Sequence, residues 1–403
     1  MKLIKIEVDE MKKIELLSPA GDLERLKIAF LYGADACYIG GEEFSLRANA
    51  NNFSINEIKQ ACSFAHNLGK KVYVTVNIIF HNENLSGIEK YLDDLEKSGV
   101  DAVIVADPFL IPIVKKNNPN MEVHISTQSC VTNYETVELF LSEGVDRIVL
   151  ARETTKDEIK EIYDKTNANL EVFLHGAMCT SYSGRCVLSN YFTNRDANRG
   201  GCAQVCRFNF DLNEKKEVEF SLATKDLNLA AYIPELINIG VKSLKVEGRM
   251  RSAYYVATVI NCYRCLIDAY YNNNFTKELL EENLKVLNRV ANRESTSQYF
   301  KGYADENDQY YIGRNEISNQ DFLGLIVDYD KNTKIATIEQ RNYFKPNDYV
   351  HVFGPNNINF DFKIEKIYDE EMNELECARH PRQILKIKIE NDVVPNSMLR
   401  VKS

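Results

Sequence analysis

The stretch of sequence that decides the fold is IELLSPAGDLERLKIAFLYGADACYIGG, residues 14–41. It opens with a short apolar run, continues through a segment in which apolar residues recur at helical spacing, and closes with ACYIGG from Ala36. Short apolar runs bounded by turn residues are typical of buried strands, and the middle segment is typical of an amphipathic helix with a Gly C-cap. The stretch therefore predicts a strand–helix–strand unit.

The same unit recurs along the first part of the chain. Apolar, often β-branched runs begin at eight positions: Ile14, Ala36, Lys71, Ala102, Glu122, Arg147, Leu170 and Ser243. Strands that are apolar on both faces and alternate with helices are typical of a parallel sheet, and repeated units of similar length fit a closed barrel. The sequence predicts an α/β fold built on a TIM-like (β/α)8 barrel, with a doubly wound open sheet as the alternative.

The regular spacing of the strands is broken once. The seventh strand ends near His175 and the eighth begins near Ser243, so an insertion of about residues 176–225 follows strand seven. Beyond the barrel, short alternating strands predict a small C-terminal β-barrel domain. The predicted division is an N-terminal extension (1–10), the barrel (11–275), a helix and linker (276–320) and the β domain (321–403).

Composition indicates an ordinary globular protein, because 44% of the 403 residues are apolar and 27% are charged. The N-terminus lacks the apolar stretch of a signal peptide, and no window approaches the length of a membrane span, so we expect a cytoplasmic protein without membrane contact. The formal net charge is -10. DNA is therefore not an expected partner, and any site for a polyanion must be local.

Four of the ten cysteines lie in the insertion: Cys179, Cys186, Cys202 and Cys206, with the spacing C-x6-C-x15-C-x3-C. A disulfide framework is not expected in a reducing compartment. The spacing matches neither paired zinc knuckles nor the usual ferredoxin runs, so it leaves open a zinc ion, a 4Fe–4S cluster, a catalytic nucleophile or structural thiols. The other cysteines are interpreted as packing residues: Cys37, Cys62, Cys130, Cys262, Cys265 and Cys377.

The insertion is also locally basic. Between residues 175 and 210 there is one acidic residue, Asp196, and there are four arginines: Arg185, Arg195, Arg199 and Arg207. Further cations stand at strand ends, namely Arg152, Lys245, Arg249 and Arg251. Guanidinium forks bind carboxylates and phosphates, so these residues predict a site for an anionic small molecule, an RNA backbone or both. The alternative is pairing with Asp196, Glu153 and Glu247.

Aromatic residues alternate with these arginines. They are Tyr182, Tyr191, Phe192 and Phe208. Exposed aromatic rings stack on unpaired RNA bases, whereas buried ones belong to the core, and the sequence supports both interpretations equally.

Two histidines are candidates for a general acid or base, because an imidazole titrates near neutral pH. His175, at the end of strand seven, is the first choice, with a buried structural histidine as the alternative; His124, in strand five, is the second. A dyad of His175 and Cys179 would suit a protease. A thiolate committed to a metal is not free to attack a carbonyl, however, and the chain has no H-E-x-x-H or G-x-S-x-G motif.

Three stretches resemble the peptidase U32 family: ELLSPAGDLERLKIAFLYGADACYIGG, HGAMCTSYSGRCVLSNYFTNRDANRGGCAQVCR and SLKVEGRMRSAYYVATV. Within that family the chain is most similar to the group that hydroxylates the wobble uridine of tRNA to 5-hydroxyuridine in a prephenate-dependent reaction. The resemblance implies an RNA-modifying enzyme with tRNA as its partner. Other groups hydroxylate a ribosomal RNA cytidine or a quinone precursor, early members were named collagenase-like peptidases, and a non-catalytic RNA-binding role is a further alternative.

The resemblance also implies site residues. An iron–sulfur cluster, expected to be 4Fe–4S, would be held by the cysteines at the family's matching positions: Cys179, Cys186, Cys202 and Cys206. Prephenate, a dianionic co-substrate, would suit the arginines at this end of the barrel: Arg152, Arg185, Arg195, Arg199 and Arg249. The segment MKLIKIEVDE precedes the family's usual start and has no assigned role.

Overall fold

The computed structural model of the chain describes residues 13–46, 52–211, 219–291, 293–310 and 320–402. The predicted N-terminal extension lies outside the described residues. The stretch that opens the barrel forms β1 (Glu15–Pro19), α1 (Leu23–Leu31) and β2 (Ala36–Gly40), as predicted. Asp22 caps α1, since its side chain accepts a hydrogen bond of 2.8 Å from the backbone N–H of Arg25.

Further strand–helix units follow in chain order. They are α2 (Ile55–Asn67), β3 (Lys71–Val76), α3 (Ile88–Lys97), β4 (Ala102–Val105), α4 (Leu110–Asn117), β5 (Glu122–Ile125), α5 (Tyr134–Ser142), β6 (Arg147–Val149), α6 (Lys156–Thr166) and β7 (Leu170–Gly176). The inserted segment contains α7 (Leu188–Thr193), β8 (Phe210–Asp211), β9 (Glu219–Phe220), β10 (Ala223–Thr224) and β11 (Asp226–Asn228). The last barrel unit is α8 (Ile233–Ile239), β12 (Ser243–Val246) and α9 (Ala253–Tyr271).

The parallel sheet closes on itself. Strands β1 to β7 pair in sequence order, and β12 pairs in parallel with both β7 and β1. The TIM-like barrel is therefore confirmed, and the open doubly wound sheet is wrong. No helix in the described part of the chain combines the length and the apolar character needed to cross a bilayer.

The barrel interior is partly apolar and partly charged. Its apolar cluster consists of Leu17, Ala36, Tyr38, Tyr73, Ala102 and Ile104. Beside it Glu171, which is fully buried, accepts hydrogen bonds from Arg147 at 3.1 Å and from Lys245 at 2.8 Å. Arg147, Lys245 and Glu171 thus each have an opposite charge within contact distance, which offsets the cost of burying them.

The insertion extends the sheet before the chain returns to the barrel. Strand β11 pairs antiparallel with the end of β7, where Leu227 lies opposite Gly176. After α9 follow α10 (Lys277–Val290), β13 (Ser295–Thr296) and β14 (Gln309–Tyr310), and β13 pairs in parallel with β11. The inserted residues are consequently held at the C-terminal end of the barrel strands.

The C-terminal domain is an antiparallel sheet. Its strands are β15 (Phe322–Asp330), β16 (Ile335–Gln340), β17 (Tyr349–Gly354), β18 (Ile358–Lys363), β19 (Ile367–Tyr368), β20 (Glu374–Leu375), β21 (Ile384–Lys388) and β22 (Met398–Val401), in the spatial order 18-17-22-15-16-21-19-20. Phe360 of β18 and Leu375 of β20 pack on the same apolar core, although these strands stand at opposite ends of that order. The two ends of the sheet therefore share one interior.

Candidate active site at the mouth of the barrel

A cavity of about 180 Å³ opens at the C-terminal ends of the barrel strands, which is where barrels of this class carry their active sites. Strands and strand–helix loops contribute Tyr38, Gln128, Arg152, Phe173, Lys245 and Arg249 to its wall. The insertion contributes Cys179, Cys186, Cys202 and Cys206. All four clustered cysteines thus face the same space as cations from the barrel.

The four thiols are close enough to affect one another. Burial, together with the nearby thiols of Cys179, Cys202 and Cys186, raises the pKa of the Cys206 thiol to about 11, although the Arg207 charge lowers it. Burial also raises the pKa of Cys179, against a hydrogen bond from the Ser181 backbone that lowers it. Without a cation these two thiols remain protonated at neutral pH, so metal binding would release protons.

The arrangement of the thiols bears on which metal group they fit. Within the described ranges, no three Cys, His, Asp or Glu side chains meet around one point as ligands of a single ion do. Zinc–sulfur bonds are about 2.3 Å long, so thiolates on one zinc ion nearly touch one another. Four soft sulfur donors around the wall of one cavity fit a thiophilic metal group, because thiolates are the donors that such metals prefer.

Three cations stand at this cavity: Arg152, Lys245 and Arg249. The Arg152 guanidinium lies 3.9 Å from the centre of the Phe173 ring. The Lys245 ammonium lies 4.4 Å from the centre of the Tyr38 ring, and burial lowers the pKa of Lys245. These residues define what we call the cationic cavity, which combines aromatic faces with positive charge and so fits an anion that carries a ring.

Arg249 is buried and fixed by polar groups of the loop after β2. Its Nη1 donates to Ser45 Oγ at 3.1 Å and to the Leu46 carbonyl at 3.0 Å, and its Nη2 donates to Asn52 Oδ1 at 2.8 Å. Gly40, at the end of β2, permits this position, because a Cβ there would collide with the guanidinium. The arginine is pre-positioned at the cavity wall before any ligand binds.

The other predicted arginines, Arg185, Arg195 and Arg199, do not line the cationic cavity, and their role in binding an anion or RNA stays a prediction. Arg185 donates from Nε to the Gln128 carbonyl at 2.7 Å and so fastens the insertion to the loop after β5. Arg199 pairs with Glu83 at 2.6 Å, and Arg195 is exposed on the surface. Arg152 and Arg249 lie in the loops that follow β6 and β12, whereas Arg185, Arg195 and Arg199 lie in the insertion.

The first-choice histidine, His175, does not reach the cavity. Between β7 and β12 the pairing runs Phe173 with Lys245 and then His175 with Val246, so β7 has one extra residue at a β-bulge. The bulge turns the imidazole toward α9, where its Nδ1 lies 3.0 Å from the Tyr263 hydroxyl. Burial lowers the pKa of His175 to about 3. The predicted acid–base role is therefore wrong, and His175 is the buried structural histidine.

His124, the second choice, lies inside the barrel. It is fully buried, its Nε2 lies 3.0 Å from Glu122 Oε2, and its ring packs edge-on against Tyr73. It is not among the residues that line the cationic cavity. Its predicted acid–base role at this site is also wrong, because strand β5 places it below the mouth.

The aromatic residues of the insertion are on the surface. Tyr182 is 52% exposed, Tyr191 83%, Phe192 51% and Phe208 46%. The core interpretation is wrong for all of them. Exposed rings beside arginines form a surface that suits the stacked bases of RNA.

Comparison with known proteins identifies the family. Residues 21–310 match peptidase family U32, and residues 318–400 match the peptidase family U32 C-terminal domain. The chain belongs to the peptidase U32 family. The expected family is thereby confirmed across both parts of the fold.

Relatives of this U32 protein carry different names. It is 46% identical over 400 residues to tRNA hydroxylation protein P1 of Bacillus subtilis, covering 96% of this chain and 95% of the relative. It is 40% identical over 262 residues to a 23S rRNA 5-hydroxycytidine synthase of Escherichia coli, covering 64% of this chain and 40% of the relative. It is 30% identical over 405 residues to a collagenase of Porphyromonas gingivalis, covering 96% of this chain and 97% of the relative.

At the site of this U32 protein, Phe173 and Gln128 belong to no motif that singles them out, whereas Lys245 is one of the predicted cations. Lys245 and Phe173 face the cationic cavity, and Gln128 lines it from the loop after β5. The signal that finds the first two is strand alternation, since Lys245 and Phe173 lie opposite each other on neighbouring strands and share the inward face. Gln128 carries no such signal, because it follows the strand in a short turn.

Proposed function

We propose that this U32 protein is a tRNA-modifying enzyme, a tRNA uridine 5-hydroxylase that converts the wobble uridine to 5-hydroxyuridine with prephenate as co-substrate. The observation that carries the proposal is the convergence of four thiols and three cations on one cavity at the barrel mouth. The likeness over nearly the full length of a tRNA hydroxylation protein supports the choice of tRNA over other substrates.

An iron–sulfur cluster is part of the proposal. Cys179, Cys186, Cys202 and Cys206 would hold it, because they are the thiols that surround the cavity. When bound, such a cluster supplies electron transfer or a Lewis-acidic iron next to the reacting molecules. The chain's own contribution is to bring the thiols and the cations to the wall of one cavity, so that a bound anion would lie in the same cavity as the cluster.

Binding of the dianionic co-substrate falls to residues of the cationic cavity. Among the described residues no ion pair involves Arg152, so its fork has donors available for a carboxylate. Lys245, although paired with Glu171, supplies positive charge at the cavity wall. The faces of Tyr38 and Phe173 provide apolar contact for a ring.

The peptidase alternative lacks the catalytic geometry that it requires. His175 and Cys179 would have to form the dyad, but the His175 imidazole contacts the Tyr263 hydroxyl and lines neither of the cavities that Cys179 lines. Its depressed pKa, about 3, also makes it a poor proton acceptor. Because the Porphyromonas gingivalis relative is named a collagenase, peptidase activity is measured as well.

The test is nucleoside mass spectrometry of tRNA and ribosomal RNA from a deletion strain. We expect loss of 5-hydroxyuridine from tRNA, restored by the wild-type chain and by Cys265→Ala but not by Cys202→Ala. The two cysteines are a matched pair, since both are exposed and only Cys202 lines the cavity. Loss of 5-hydroxycytidine from ribosomal RNA instead would indicate the second candidate, and unchanged RNA with gelatin cleavage would indicate the peptidase.

A further inference from the structure

A second cavity lies on the other side of Cys179. Its volume is about 350 Å³, and Cys179 and Thr180 line both this cavity and the cationic cavity. The rest of its wall includes Phe220 and Thr224 from the insertion and Gln298 and Tyr299 from the segment after β13. Cys179 and Thr180 thus adjoin two spaces, one of about 180 Å³ and one of about 350 Å³.

The two cavities differ in charge. No lysine, arginine or histidine is found among the described residues that line the second cavity, and Asp305 and Glu306 stand at its wall. The first has Arg152, Lys245 and Arg249. A carboxylate or phosphate is therefore attracted to the cationic cavity and repelled from the second, which suits a neutral ligand.

Gln298, which lines the second cavity, carries a side-chain acceptor that no described residue satisfies. Its Nε2 donates to the carbonyls of Lys225 at 2.8 Å and Asp308 at 3.1 Å, and two carbonyl partners determine which end of the amide is the donor. The residue is 3% exposed, and its Oε1 has no partner in the described part of the chain. An unpaired buried acceptor costs about 1–3 kcal/mol, which a ligand N–H recovers on binding.

The backbone at Gln298 is also in an unfavourable conformation. Its φ is 46°, in the left-handed region that side chains other than Gly and Asn seldom adopt. Strain of this kind, together with an unsatisfied polar atom, is characteristic of ligand sites. Gln340 in the β domain also has an unpaired Oε1, but it lines none of the cavities described here.

Aromatic residues flank the acceptor. Tyr299 and Phe220 line the second cavity, and Tyr303, next to the lining residue Ala304, is 90% exposed. Aromatic faces at the entrance and wall of a neutral cavity are typical of sites that take a base out of a nucleic acid. The acidic residues nearby disfavour entry of the phosphate backbone.

We propose that the second cavity binds the target base of the RNA, flipped out of its stack, with a base N–H donating to Gln298 Oε1. Uracil presents its N3–H to such an acceptor, whereas cytosine could present only its 4-amino group, because its N3 is itself an acceptor. The assignment rests on the proposed function and extends it, because it places the base and the anionic co-substrate in separate cavities on either side of Cys179.

The first experiment locates the base directly. An anticodon stem-loop RNA with 5-bromouridine at the wobble position is irradiated with the full-length, metal-loaded protein, and cross-linked peptides are mapped by mass spectrometry. We expect cross-links to Tyr299 or Phe220. Cross-links confined to Tyr38 or Phe173 of the cationic cavity, or to neither cavity, overturn the assignment.

The second experiment compares two buried glutamines. Gln298→Leu should weaken RNA binding and cross-linking by about tenfold, the factor expected for one lost hydrogen bond, and leave prephenate binding unchanged. Gln340→Leu, the matched control, should change neither. Equal effects of both variants, or no effect of Gln298→Leu, contradict the proposal.

The two proposals fail in different ways. If the wild-type protein hydroxylates tRNA but cross-links outside the second cavity, only the assignment of the second cavity is refuted. If the wild-type protein neither hydroxylates tRNA nor cross-links to it, the proposed function is refuted as well.

Discussion

Arg152 is the cation at the barrel mouth that is best placed to bind an anion. Lys245 is already paired with Glu171, and Arg249 donates to three groups of the loop after β2, whereas among the described residues no ion pair involves Arg152. Charge-assisted bidentate contacts are stronger than neutral hydrogen bonds. At the scale of single residues, Arg152 should therefore contribute more to recognition of a dianion than any other side chain.

Replacement of this arginine provides a test. Arg152→Ala should weaken prephenate binding by about tenfold to a hundredfold, the range for hydrogen bonds to charged groups, and leave the midpoint of thermal unfolding nearly unchanged. Arg195→Ala, a change of the same type at an exposed position, is the control. Calorimetric titration with prephenate measures the effect. Equal losses in the two variants would contradict the assigned cavity.

The buried state of His175 predicts a pH dependence of stability. Its folded pKa, about 3, lies below the ordinary value of 6.5, so the unfolded chain binds the extra proton and stability is lost as the pH falls through 6.5. The loss from this residue should reach about 2 kcal/mol at pH 5. Denaturant unfolding of His175→Gln should show a smaller decrease between pH 7 and pH 5 than the wild-type chain shows. Identical pH profiles would show that the imidazole is not buried in its neutral form.

At the scale of elements, the ends of two strands determine which side chains reach the cationic cavity. The bulge in β7 turns His175 out of the barrel while leaving Phe173 inside it. The last residue of β2, Gly40, leaves room for the Arg249 guanidinium. The bulge in β7 and the glycine at the end of β2 therefore determine, together with the residue types, which side chains line the cationic cavity.

The contact at the end of β2 can be tested by a double-mutant cycle. Gly40→Ala should displace the Arg249 guanidinium and reduce co-substrate affinity by about as much as Arg249→Ala does. Because both changes act on one contact, their effects should not add in the double variant. Titration calorimetry on the three proteins measures this. Additive losses would show that Gly40 acts through something other than Arg249.

At the scale of the whole molecule, the barrel and the β domain share an apolar core. Phe353 and Met398 of the β domain belong to the same buried cluster as the barrel residues. The Tyr32 hydroxyl donates to the Asn396 carbonyl at 2.6 Å, and the Tyr254 hydroxyl donates to Asp321. The β domain is consequently a structural support of the barrel as well as a candidate surface for RNA.

Removal of residues 321–403 should therefore destabilise the barrel. The truncated chain exposes the apolar surface that Phe353 and Met398 cover, and it leaves the hydroxyls of Tyr32 and Tyr254 without these partners. We expect a lower midpoint of thermal unfolding by circular dichroism and increased binding of an apolar dye. An unchanged midpoint would show that the two parts are independent.

The sequence by itself determined the barrel, the position of the insertion and the thiols that face the cavity. Alternating strand and helix patterns are local properties, and a loop after a parallel barrel strand always lies at the C-terminal end of the barrel. Only the tertiary structure decided which charged residues share the cavity. The side on which His175 lies depends on register with β12, and the partners of Arg185 and Arg199 come from distant loops. The second cavity is likewise visible only in the tertiary structure. Its wall contains Cys179 and Gln298, which lie about 120 positions apart in the chain, and no local pattern of residues predicts that they are close.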